Sequence, residues 1–102
     1  MALTNPVLTL KTLNDIGAKV ENNLASVEDY EALDFFISAI GGNPGFIKNA
    51  LYQNGFRDFN QYIQERKENS EDKRVSIGRV HGTILGTLSF LKSYAIQNNF
   101  YV

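Results

Sequence analysis

Apolar residues recur along this chain at helical spacing, and asparagine and glycine separate the segments they mark. Leu10, Leu13, Ile16, Val20 and Leu24 follow a 3.6-residue period and predict a helix over about residues 6–24. Asn5-Pro6 suits its start, with Asn as N-cap and Pro at the first helical position. The stretch VLTL beside it could instead open as a strand. Gly17, inside the pattern, marks a place where another element could approach closely. Ser26-Val27-Glu28-Asp29 is the next start signal. Ser26 caps, and Asp29 stands where a capping box prefers Glu or Gln. Tyr30, Leu33, Phe36, Ile37 and Ile40 form the inward face of this second helix, and Gly41-Gly42 ends it. Phe35 falls off that face.

Asn43-Pro44 repeats the Asn-Pro start. Phe46, Ile47, Ala50 and Leu51 predict a short helix that stops at Asn54-Gly55. Another short helix begins near Asp58, with Phe59, Tyr62 and Ile63 facing in. It runs into the polar stretch QERKENSEDKR, broken near Asn69-Ser70. Ser70 followed by Glu71 and Asp72 reads as the N-terminus of the last helix.

That last helix, VSIGRVHGTILGTLSFLKSYAI over Val75 to Ile96, is the element on which the others are expected to pack. Only Arg79 and Lys92 carry charge in it, beside the lone histidine, His81. On a wheel of about 100° per residue, Val80, Leu91, Ile84, Ile77, Ala95, Leu88, Leu85 and Ile96 share an arc of roughly 160°. Gly78, Gly82 and Gly86 form a second stripe beside it, and Phe90 and Tyr94 lie on the far side. Few polar directions remain, so the helix is expected to be surrounded. Each glycine costs about 0.8–1.0 kcal/mol relative to alanine in a helix interior. Close approach of another helix along the stripe would explain three of them, either by a crossing within the chain or at a homodimer interface. A ligand lying against bare backbone is a weaker reading.

The sum is an all-α fold, a small irregular bundle of about five helices around a central glycine-bearing C-terminal helix. At 102 residues the chain is read as a single helical domain, 1–102. A hydrophobic content of 43% and a charged content of 21% fit a globular chain rather than a disordered one. The net charge of −1 gives no overall pull towards nucleic acid or anionic membrane. Residues 1–55 hold three Lys and six Asp or Glu, net −3, and residues 56–102 hold seven Lys or Arg and five Asp or Glu, net +2. The uncharged run from Val80 to Leu91 is too short for the ~20 residues of a membrane span. With no cysteine, disulfides, zinc ribbons and thiol catalysis are excluded. MALTNPVLTL has neither a basic start nor a long apolar core, so no signal peptide is read and a cytoplasmic protein is expected.

Signals for chemistry are thin. His81 falls within the apolar arc. It reads as a core side chain with one hydrogen bond, or, more weakly, as the ligand of a haem or small molecule. No His or Glu stands at metal-ligand spacing from it, and Ser76, Ser89 and Ser93 lie on no nucleophile elbow. Gly41-Gly42-Asn43-Pro44-Gly45 lacks the lysine of a phosphate loop, and Pro44 removes a donor, so it reads as a helix-to-helix turn. The pair of helices around Gly55 lacks the basic recognition face of a helix-turn-helix. A small helical enzyme holding a dianion would need inward cations, yet no arginine precedes Arg57. The chain is therefore expected not to be an enzyme and to need no cofactor or metal.

The reading these features support is a non-catalytic protein–protein interaction domain, a homodimer or a small inhibitor-type regulator in a larger assembly. Its contact residues are expected to be Gly78, Gly82, Gly86, Phe35 and the tail residues Phe100 and Tyr101. The alternative is a helical subunit that grips the nucleic-acid backbone through Arg57, Arg66, Lys67, Lys73, Arg74 and Arg79, although acidic residues interleave with them.

Overall fold

A computed structural model describes residues 7–102. They form five helices in chain order: α1 Leu10–Glu21, α2 Val27–Ala39, α3 Phe46–Gln53, α4 Phe59–Glu68 and α5 Arg74–Gln97. No strand occurs among them, so VLTL does not open as one. The expected all-α bundle of about five helices is what the chain forms. At 24 residues α5 is about twice as long as α1 or α2, and each of the other four helices packs against it.

All five helices end alike. Asn23, Gly41, Gly55, Asn69 and Asn99 each take positive φ just beyond a helix. The next residue then donates its N–H back to the carbonyl five positions earlier: Leu24 to Lys19, Gly42 to Ile37, Phe56 to Leu51, Ser70 to Glu65 and Phe100 to Ala95. These are Schellman closures, which favour Gly or Asn because a Cβ is strained at positive φ. Gly42 meets a second demand, since a Cβ there would stand 2.5 Å from Ile37 Cγ2.

The starts are less uniform. Ser26 and Asp29 form a full capping box at α2, and Asp58 caps α4 by accepting from Gln61 N–H. The first helix begins at Leu10 with Thr9 as its cap, later than the periodicity implied; Asn5-Pro6 lies outside the described residues. Its first donors are met by the far end of the chain: Leu10 N–H donates to Phe100 O at 2.6 Å and Lys11 N–H to Tyr101 O at 3.2 Å. The third helix begins at Phe46, not at Pro44, and has no cap of its own. Asp34 on α2 supplies one, accepting from Ile47 N–H at 2.7 Å and Lys48 N–H at 3.1 Å. Residues 70–73 turn before α5 starts, so Ser70 is not its cap.

The helices share one core. Leu13, Ile16 and Val20 of α1, Leu33 and Phe36 of α2, and Ile47 and Leu51 of α3 are buried with Val80, Ile84, Leu88, Leu91 and Ala95 of α5. Gly17 is buried where α1 meets α5, and a Cβ there would lie 3.5 Å from Lys92 Nζ and 3.9 Å from Leu88 Cδ1. These are ordinary van der Waals distances, so the position could take a Cβ and the close approach expected of that glycine is not made. Between α2 and α4 the core turns aromatic. Tyr30 stacks on Phe59 with centroids 5.4 Å apart, and Tyr62 stands edge-on to Tyr30 and to Phe56. Such offset and edge pairs add about 0.5–1.5 kcal/mol each beyond their burial. Leu24 and Phe46, expected inside, are exposed. Leu24 follows the α1 closure, and Phe46 sits at the first turn of a helix whose start is fixed by Asp34.

The cap supplied across helices makes a test. Asp34→Ala is expected to lower the unfolding free energy by about 1–2 kcal/mol, because two N–H donors of α3 lose their acceptor. Urea unfolding should show a lower midpoint with an unchanged slope. An unchanged midpoint would mean that α3 does not depend on Asp34.

Candidate protein interface

The four shorter helices cover only one side of α5. Val80, Ile84, Thr87, Leu88, Leu91 and Ala95 are buried there, and the opposite side is open. This corrects the expectation that α5 is surrounded. Leu85 and Ile96, placed in the apolar arc from the sequence, are 40% and 49% exposed. The core needs a narrower stripe than the apolar residues supply, so the arc spills onto the surface.

Gly78, Gly82 and Gly86 lie on this open side. All three are exposed, and a Cβ at any of them would meet nothing within 4 Å. Among the described residues no element packs on the stripe, so they form no crossing there of the kind expected within the chain. At about 100° per residue the exposed side spans an arc of about 140° centred near Gly82 and Gly86. Along its middle run Val75, Gly82, Gly86, Ser89 and Ser93. Gly78, Leu85 and Ile96 border one edge, and Arg79 and Phe90 the other. Arg79 is the one charged residue of this face and makes no ion pair among the described residues.

Beside Gly86 the face deepens into a groove of about 480 Å³, walled by Ile37 and Phe46 on one side and Thr83, Thr87 and Phe90 on the other. Thr83 and Thr87 donate their hydroxyls back to the carbonyls of Arg79 and Thr83. Their donors are thus used within the helix, and the groove is left largely apolar. Sequence reasoning singled out the glycines and missed Val75, Leu85, Phe90, Ile96 and Phe46. Their signal was present: apolar residues all round the wheel exceed what one core can bury.

The other expected contact residues do not join this face as one surface. Phe35 is half exposed on α2 against the ring of Phe36. The backbone of Phe100 and Tyr101 closes the start of α1, with the Phe100 ring 6.2 Å from that of Tyr94. The basic residues divide as well. Lys73 lies over the Phe56 ring and reaches Gly55 O, while Arg57 pairs with Asp58 and Arg74 with Glu71. Lys67 is exposed, and Arg66 turns inward between α2, α4 and α5.

Arg66 belongs to a buried polar junction that the sequence did not disclose. Burial raises the pKa of Tyr30 and Tyr62, and the Arg66 guanidinium beside them pulls both back. Both phenols therefore stay neutral at physiological pH. Tyr62 Oη, Glu65 Oε2, Arg66 Nη1 and His81 Nδ1 are buried without a well-aligned partner. His81 is half-buried, so it is not the satisfied core histidine that the wheel suggested. It does not line the groove. Among the described residues no three His, Asp or Glu side chains gather as metal ligands, and no helix is long and apolar enough to cross a membrane.

The junction carries a pH dependence. Burial chiefly, with Arg66, lowers the pKa of His81 below its ordinary 6.5, while Glu21 pulls it up. Well above pH 6.5 neither the folded nor the unfolded chain is protonated there. Below it the unfolded chain takes up the proton first, so stability is lost as pH falls from 6.5 towards the lower folded value. His81 is the only histidine. Urea midpoints of wild type and His81→Gln compared at pH 7.5 and 5.5 should show a smaller acid-side loss in the variant. Equal losses would remove His81 as the cause. Set against known proteins, the chain gives no significant match to any family model, curated protein or solved structure.

Proposed function

We propose that this chain is a non-catalytic helical interaction module that docks a protein partner through the open face of α5. One observation carries the reading: three glycines stand in the interior of the longest helix with open space where each Cβ would be. Relative to alanine they cost about 2.5–3 kcal/mol together. That is a large share of the ~5–15 kcal/mol by which a domain of this kind is stable. The described fold does not require it, since no neighbour among the described residues would clash with a side chain there. A partner that must come close to the α5 backbone does require it. Val75, Leu85, Phe90 and Ile96 supply apolar contact around the glycines, and the groove beside Gly86 can receive a side chain.

Against the nucleic-acid reading stands the use of the basic residues. Arg66 is turned into the fold, Lys73 lies over the Phe56 ring, and Arg57 and Arg74 pair with carboxylates at the surface. A phosphate-binding stripe needs its cations free and clustered.

Gly82→Leu separates the two roles of the face. In the isolated chain it is expected to stabilise by about 0.5–1 kcal/mol, as a helix-interior glycine is replaced where there is room. In docking it is expected to be destructive. Tagged wild-type protein run by size exclusion, both purified and in extract of its source cells, should travel in a species larger than its 11.5 kDa monomer in at least one of them. Gly82→Leu should travel as the monomer in both. If wild type is monomeric in both, the docking reading falls.

A further inference from the structure

We infer that Asn54-Gly55 is a site of spontaneous covalent modification that the folded corner between α3 and α4 holds shut. The Asn54 amide converts to a carboxylate when the corner opens, and the converted corner closes less firmly. The inference is independent of the α5 face.

Asparagine is chemically labile, and Asn54 is the only asparagine of the chain followed by glycine. With no Cβ to crowd it, a glycine nitrogen is the one best able to reach the side chain before it. The chemistry balances with water alone. Gly55 N, its proton taken by base, attacks Asn54 Cγ. The N–Cγ bond forms, the Cγ–Nδ2 bond breaks, and the amide nitrogen leaves as ammonia with a proton from water. Water then opens the cyclic imide at either carbonyl. Opening at Cγ leaves an aspartyl residue. Opening at the backbone carbonyl leaves an isoaspartyl residue, whose main chain runs through Cβ. Nothing is oxidised or reduced.

The fold obstructs each part of this step. At ψ 13° the backbone nitrogen of Asn54 stands nearly eclipsed with Gly55 N, which turns Cβ and the carboxamide away from it. Asn54 Nδ2 donates to Ala50 O at 2.8 Å, one turn back along α3. Gly55 N–H donates to Tyr52 O at 3.1 Å, so its proton is engaged. Phe56 N–H donates to Leu51 O at 2.9 Å, and its buried ring stands edge-on to Tyr62, which fixes the turn from the far side. Attack therefore requires the corner to open.

The product fits the corner badly. A carboxylate has no N–H to give Ala50 O, and it brings negative charge to the negative end of the α3 dipole. The isoaspartyl form also adds a methylene to the main chain before Gly55, inside the loop that the bond from Phe56 to Leu51 closes. An opening that is ordinarily reversible thus leaves a permanent mark on the chain.

Two other asparagines serve as controls. Asn22 and Asn98 also end helices and donate Nδ2 to the carbonyl four residues back, but each is followed by asparagine. The purified chain is incubated at one mildly alkaline pH, in buffer and in guanidinium chloride. Cleavage after Lys48 and Arg57 releases the peptide of residues 49–57. Liquid chromatography with tandem mass spectrometry then follows Asn54 and separates the two products. In denaturant Asn54 is expected to convert faster than Asn22 and Asn98. In the folded chain it is expected to convert about ten-fold more slowly than in denaturant, or slower still, because a closed segment is open only a small fraction of the time. Equal rates at Asn54 in the two states would overturn the guarding role of the corner. No preference for Asn54 in denaturant would overturn the site itself. Converted chains, separated by ion exchange and refolded, should unfold at a lower denaturant midpoint than unconverted ones. An equal midpoint would overturn the lasting effect on the corner.

Discussion

One long helix has to serve four short ones. The 24-residue α5 offers its whole circumference, but helices of 12, 13, 8 and 10 residues joined by tight turns gather on one side of it. What they bury is a stripe from Val80 to Ala95. What they leave is a second stripe, nearly free of charge, that the fold neither uses nor hides. Almost every distinctive feature of the molecule follows from that imbalance.

The buried side shows how a small domain manages with few residues. Helix ends are closed by left-handed Asn or Gly rather than by long loops, so most of the chain is available to the core. Two helices borrow acceptors for N–H groups of their first turn: α3 from Asp34 on α2, and α1, beside its own cap Thr9, from the carbonyls of Phe100 and Tyr101 at the other end of the chain. These borrowed acceptors tie segments distant in sequence to one another. The aromatic group of Tyr30, Phe59, Tyr62 and Phe56 fastens α4 against α2, and Arg66 and His81 bring polar atoms into the same region. Rigidity and polarity therefore meet on the side of α5 away from the open face.

On the open side, glycine, serine and scattered apolar residues lie where a solvated helix would carry Lys and Glu. Such a surface costs helix stability and gains nothing from water. It gains from another helix, since backbone can approach backbone and the apolar rims can close over the contact. The single arginine on this face has no partner within the described chain, and the ring of Phe90 stands on the same edge.

Local signals in the sequence determined much of this. The period of the apolar residues marked all five helices. Gly41, Asn54-Gly55 and Asn69 marked three of the ends, because residues tolerant of positive φ close a helix in that way. Ser26 and Asp58 marked two starts, because a capping side chain reaches only three residues along the chain. The stripe of Gly78, Gly82 and Gly86 was equally plain. Tertiary structure alone decided what lay on it, and among the described residues the expected crossing within the chain is not made. Periodicity states which residues share a face, not how many neighbours exist to cover it. For the same reason the wheel put Leu85, Ile96 and His81 in the core, and the start of α3 was misplaced because its cap, Asp34, comes from another helix. Contacts between residues distant in sequence leave no local period, and so only the folded chain could show that α5 has one side to spare.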